Sequence, residues 1–152
     1  MRHEAAIRRI ESFGKRFGPS RSHLYLAYHA AFPLALTPDL LYRIWANFQR
    51  DCLGKYLNIP WIAVADILLS NLCDDVGHEL YEMDVAVRNE LLKQLKEDSH
   101  FGKKRINELS NFLLAYVPIL RTVFKRPEYH RTGVQESWGD LKSNLGLNLT
   151  YQ

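Results

Sequence analysis

Asn71-Leu72-Cys73-Asp74-Asp75-Val76-Gly77-His78-Glu79-Leu80-Tyr81-Glu82-Met83-Asp84 is the one stretch where the hydrophobic period changes. Elsewhere apolar residues recur at three- and four-residue spacing, the period of a helix; here the pattern shortens to alternation. Leu80 and Glu82 fall on one side of the run and Tyr81 and Met83 on the other. That predicts a small antiparallel hairpin near residues 71–83. Asp84 is a good cap for a following helix, whose stripe is Val87, Leu91, Leu92 and Leu95 with Val85 on its flank. Before the hairpin, Pro60 can open a helix with Trp61, Val64, Ala65 and Leu68 on one side. Helix, hairpin and helix thus follow in succession.

Outward from this centre the signals are helical. Ile7, Ile10, Phe13 and Phe17 define a face from about His3 to Phe17, which Gly18-Pro19-Ser20 ends. Ser22 can cap a second helix through the apolar run Leu24–Phe32, stopped by Pro33. Thr37-Pro38-Asp39 combines a hydroxyl cap, a first-turn proline and a carboxylate favoured by the helix dipole. Leu40, Leu41, Ile44, Trp45 and Phe48 follow as a broad apolar face, then a loop over Gly54–Asn58. After a connection at Ser99–Lys103, a long helix carries Ile106, Leu109, Phe112, Leu113, Tyr116, Val117, Leu120 and Phe124, with Pro118 expected to kink or split it. Val134, Trp138, Leu141 and Leu145 allow a short last helix weakened by Gly133, Gly139 and Gly146. The expected fold is mainly α, a compact bundle of about six to seven helices with one hairpin. It forms a single domain over residues 1–146, and residues 147–152 are a frayed tail.

Composition narrows the class. Apolar residues at 47% and charged residues at 24% are ordinary for a globular domain of this length. No run reaches the roughly 18 apolar residues of a membrane span, and the charged N-terminus lacks a signal sequence, so a cytoplasmic protein is the expectation. Cys52 and Cys73 read as reduced cysteines acting as small hydrophobes. The formal charge of +3 is too small to name a partner, but it is segregated. Arg8, Arg9, Lys15 and Arg16 make the first helix basic, whereas Glu79 and Glu82 belong to an acidic block from Asp74 to Asp98. These six residues are the candidate interaction surface.

Candidate chemistry is sparse. His78-Glu79-Leu80-Tyr81-Glu82 begins like the zinc motif H-E-x-x-H, but glutamate stands where the second imidazole must be. Cys73, Asp75 and His78 do not make a triad merely by being close in sequence. Phe13-Gly14-Lys15-Arg16-Phe17-Gly18 lacks the spacing of a phosphate loop. His29, beside Tyr25 and Tyr28, reads as a satisfied core histidine. Asp66 interrupts the apolar run Trp61–Leu69 and needs a cation; Arg88 or Arg43 can supply one, and Asp66 with Arg88 is the candidate structural ion pair. Trp45, Trp61 and Trp138 read as core anchors, and an exposed tryptophan would instead mark an interface. No catalytic, cofactor or metal residue is assigned, and no enzyme is expected.

Residues 61–84, continued by Val87-Arg88-Asn89-Glu90-Leu91-Leu92 and preceded by His29-Ala30-Ala31-Phe32-Pro33-Leu34-Ala35-Leu36-Thr37-Pro38-Asp39-Leu40-Leu41, resemble an N-terminal module of large bacterial, especially cyanobacterial, multidomain proteins. In those proteins the module stands where an adaptor would, joined to formylglycine-generating-enzyme-like, caspase-like, TIR, NTPase or WD-repeat domains. The resemblance covers roughly Ile7 to Val117. After about Arg121 the sequence departs from that pattern, and no effector follows within the chain. A weaker likeness is to winged-helix units of STAND-type signalling NTPases, carried by Tyr81-Glu82-Met83-Asp84 and Val87-Arg88. The resemblance implies a non-catalytic interaction module of a signalling or conflict (defence and programmed death) system, with a protein partner or self-association. Nucleic-acid binding through the winged-helix-like unit is the alternative, and a small enzyme with an unrecognised site is the second.

Overall fold

A computed structural model describes residues 2–124, with side chains described as far as Tyr116. Within them lie six helices and one hairpin: α1 (Arg2–Arg16), α2 (Ser22–Ala30), α3 (Pro38–Asn47), α4 (Ala63–Leu68), β1 (Cys73–Gly77), β2 (Leu80–Met83), α5 (Val85–Glu97) and α6 (Gly102–Phe124). The mainly helical fold with a single hairpin is as the periodicity predicts. The expected last helix around Trp138 and the expected tail at 147–152 lie outside the described residues.

The start signals at α3 and α5 act as their chemistry requires. Leu40 N–H donates to Thr37 Oγ1 at 3.1 Å, and Ala86 N–H donates to Asp84 Oδ2 at 3.1 Å. Ser22 is not a cap: it is the first residue of α2, and the preceding Arg21 makes no capping bond. Pro118 does not split α6, which continues to Phe124.

The hairpin pairs Cys73 with Met83, Asp74 with Glu82 and Asp75 with Tyr81, then shifts register so that Gly77 faces Leu80. Val76 is the displaced residue, and its side chain stands in solvent. His78 and Glu79 form the turn at φ 55° and 59°. Two consecutive left-handed residues are the geometry of a type I′ turn, usually made by Asn-Gly. Tyr81 also exchanges both backbone hydrogen bonds with Leu36, each 2.8 Å, so the segment between α2 and α3 is stitched to the outside of the hairpin. From α2 onward the order is therefore helix, single bridge, helix, helix and two-stranded hairpin.

One core joins all six helices. α2 buries seven of its nine residues, among them Leu26, Tyr28 and His29. Leu40, Leu41 and Ile44 of α3, Ala63, Val64, Ile67 and Leu68 of α4, and Leu91 and Leu95 of α5 pack around it. α5 is the hub of the second layer, touching α1, α2 and α6. Tyr116, past the middle of α6, reaches α3: its hydroxyl donates to Asp39 Oδ2 at 2.8 Å, while Arg43 Nε donates to the same oxygen at 2.9 Å. Burial, with the Asp39 carboxylate beside it, holds the Tyr116 phenol well above its usual pKa.

Candidate interaction surface

The ion pair expected between Asp66 and Arg88 is not formed. Asp66 Oδ2 lies 2.9 Å from His23 Nε2 on α2, and the Phe17 ring stacks on that imidazole at 4.2 Å. Arg88 Nη2 instead donates to the Phe32 carbonyl at 2.9 Å. Burial draws the Arg88 guanidinium below its ordinary pKa. Asp66 meets α2, whereas the side chain of Arg88 is committed to the carbonyl of the segment just after α2. Each side chain finds a different partner from the one the sequence offered, and Arg88 Nε is left buried without one.

His29 lies fully buried, and its surroundings define its protonation. Nδ1 is 2.6 Å from the Tyr25 carbonyl and must carry the hydrogen. Nε2 must then accept, and it faces Arg105 Nη1 at 2.9 Å. Burial, together with the adjacent guanidinium, lowers the His29 pKa to about 3, outweighing the carbonyl bond that favours the charged form. Arg105 is itself only 2% exposed. It lies over the Phe48 and Phe101 rings at 5.0 and 5.2 Å and donates a second bond to the Arg50 carbonyl. This cation–π sandwich locks α6 to α2 and to the loop after α3. It is structural, and the sequence concealed it because its members are 76 residues apart.

The remaining candidates for chemistry disperse. His78 is exposed at the hairpin tip, away from buried His29. Burial pushes the Cys73 thiol up to about 12, so it is held as a neutral thiol. The Cys52 thiol, also raised by burial, faces Glu108 Oε1 at 3.4 Å. Among the described residues no three His, Cys, Asp or Glu side chains are grouped to hold a metal. None of their helices is long and apolar enough to cross a membrane.

Arg8, Lys15 and Arg16 are exposed on α1, while Arg9 is half-buried and donates to the Asn71 carbonyl, fastening α1 to the base of the hairpin. Glu79 and Glu82 are exposed on the hairpin with Asp74 and Asp75, and Asp74 sits directly opposite Glu82. Like charges in that relation repel.

The principal correction is Trp61. It is not a core anchor: 59% of it is exposed, beside Ile62 at 43% and Leu69 at 80%. Trp45 is half-buried, with its indole N–H donated to the Ile59 carbonyl at 2.8 Å. The backbone bonds Ile62 to Asp66 and Ala65 to Leu69 carry Ile62, Ala65 and Leu69 along one helical face. Trp61 and Ile62, in the turn before α4, and Leu69, in the turn after it, thus leave an exposed apolar ridge at the two ends of the helix's outer side; isolated exposure is normal, whereas several large apolar side chains together are an interface signal. From Tyr56 through Val87 the chain contains no lysine or arginine. α4 and the hairpin thus carry acidic side chains but no lysine or arginine.

No family model, curated protein or solved structure matches the chain.

Proposed function

We propose that this chain is a protein-interaction module whose binding surface is the outer face of α4. The observation that carries the reading is the ridge of Trp61, Ile62 and Leu69. Nucleic-acid affinity is built on neutralising phosphates with Lys and Arg. A surface without either, bordered by Asp74, Asp75, Glu79 and Glu82, repels a phosphate backbone and suits a protein. Aromatic anchors with an acidic border are the composition of a specific contact. The resemblance of residues 29–41 and 61–92 to the adaptor-placed module of bacterial multidomain proteins supports assigning that contact to signalling or conflict systems. Among the described residues no grouping of reactive side chains favours catalysis instead.

The test compares the immobilised 152-residue chain with a Trp61→Ser/Leu69→Ser variant and an Arg8→Ser/Arg16→Ser variant, all challenged with bacterial lysate. Both ridge positions are solvent-exposed, so the fold should tolerate the change. The expected result is a set of proteins retained by the wild type and by the α1 variant and lost from the ridge variant. Identical sets on all three surfaces contradict the reading.

A further inference from the structure

Between α5 and α6 the surface opens into a groove of about 910 Å³, at the large end of ligand-sized clefts. Phe32, Leu92 and Ile106 make its floor. Lys93, Lys96 and Lys103 stand along its rim with one carboxylate, Glu97. None of the three lysines has a carboxylate within 4 Å among the described residues. Arg88, bonded to the Phe32 carbonyl, adds a further cation behind the floor. The groove is an apolar trough with a basic edge.

One exposed apolar feature among the described residues is its complement. The α4 ridge offers Trp61, Ile62 and Leu69, and the adjoining hairpin offers Asp74, Asp75, Glu79 and Glu82. It is an apolar crest with an acidic edge. We propose that a second copy of this chain seats its α4 ridge and acidic hairpin in the α5–α6 groove, head to tail. This rests on the interaction reading above and names the partner. The basic face of α1 is a poorer receptor: exposed positions such as Arg8, Glu11, Ser12, Lys15 and Arg16 provide charge but no apolar floor for Trp61.

Because ridge and groove are different surfaces, each bound copy still presents one of each. The contact is heterologous, so association continues past two copies into a ring or an open filament. For a module that brings attached domains together, this is a means of clustering them.

The test is light scattering on the full chain over a range of concentrations, with two variants that each remove one face. One is Trp61→Ser/Leu69→Ser; the other is Lys93→Glu/Lys96→Glu/Lys103→Glu, with the three lysines changed to Ser instead where charge reversal lowers the melting temperature. The wild type should grow beyond dimer mass as concentration rises. Each variant alone should be monomeric, its association weakened by at least about tenfold. Mixed in equal amounts, the two variants should form a dimer and stop, because only one live ridge and one live groove remain. High salt should weaken every assembly. Growth that stops at two copies of the wild type, or a mixture of variants that stays monomeric, overturns the head-to-tail contact. So does a wild type that is monomeric throughout, whether residues 125–152 or nothing fills the groove. In these cases the α4 ridge can still retain other proteins from lysate, so failure of this contact is distinguishable from failure of the interaction reading.

Discussion

His29 has no exposed surface, one acceptor and one cation within hydrogen-bond distance, and a pKa lowered to about 3. In the unfolded chain the same imidazole titrates near its ordinary value of about 6.5. Between these values the unfolded state holds a proton that the folded state refuses. The contribution of His29 is therefore complete above pH ~6.5 and is lost progressively as pH falls toward ~3. A His29→Gln variant keeps a donor and an acceptor but cannot protonate. Chemical denaturation between about pH 6 and 4 should give a stability slope shallower by up to ~1.4 kcal/mol per pH unit than the wild type. An unchanged slope would mean that His29 is protonated in the fold. A core histidine was legible at this position from its aromatic neighbours; its guanidinium partner was not, because nothing local to either residue points across 76 positions. Asp66 teaches the same lesson. That it needed a cationic or donor partner follows from its apolar neighbours, but which of several candidates reaches it is a matter of helix placement.

At the level of elements, capping chemistry and period changes carried the prediction. Thr37-Pro38 and Asp84 start helices where their side chains can accept the first free amides. The hairpin follows from alternation alone, since its turn lacks the usual Asn-Gly. His78 and Glu79 are held with φ at 55° and 59°, where a Cβ is disfavoured. Replacing them with Asn and Gly should stabilise the protein by about 1 kcal/mol, read as a higher denaturation midpoint at constant slope. A lower midpoint would indicate that the turn side chains contribute more than their backbone strain costs. α4 was the least legible element. Its sequence is apolar on nearly every side, so its phase was undetermined. The buried face is Ala63, Val64, Ile67 and Leu68 rather than Trp61, Val64, Ala65 and Leu68, a rotation of about 80° on a helix of 3.6 residues per turn. That rotation moves Trp61 from core to surface and creates the ridge.

At the scale of the molecule, charge among the described residues is segregated more than it is neutralised in ion pairs. The described residues make few salt bridges, and most of those involve histidine or close neighbours on one helix. The acidic block seen in the sequence divides in the fold. Its first half lies on the hairpin, while Lys93 and Lys96, interspersed in its second half, edge the groove between α5 and α6. Fold class was readable from periodicity, but the binding face was not, because exposure depends on how α4 is rotated. The most direct measurement places a photo-crosslinking benzoyl-phenylalanine at Ile62, with the same residue at exposed Glu11 as a control, and irradiates cells that express the full chain. The expected result is covalent adducts to protein from position 62, whether to a second copy or to another chain, with few from position 11. Adducts to nucleic acid from position 62, or none at all, would contradict a protein-binding ridge on α4.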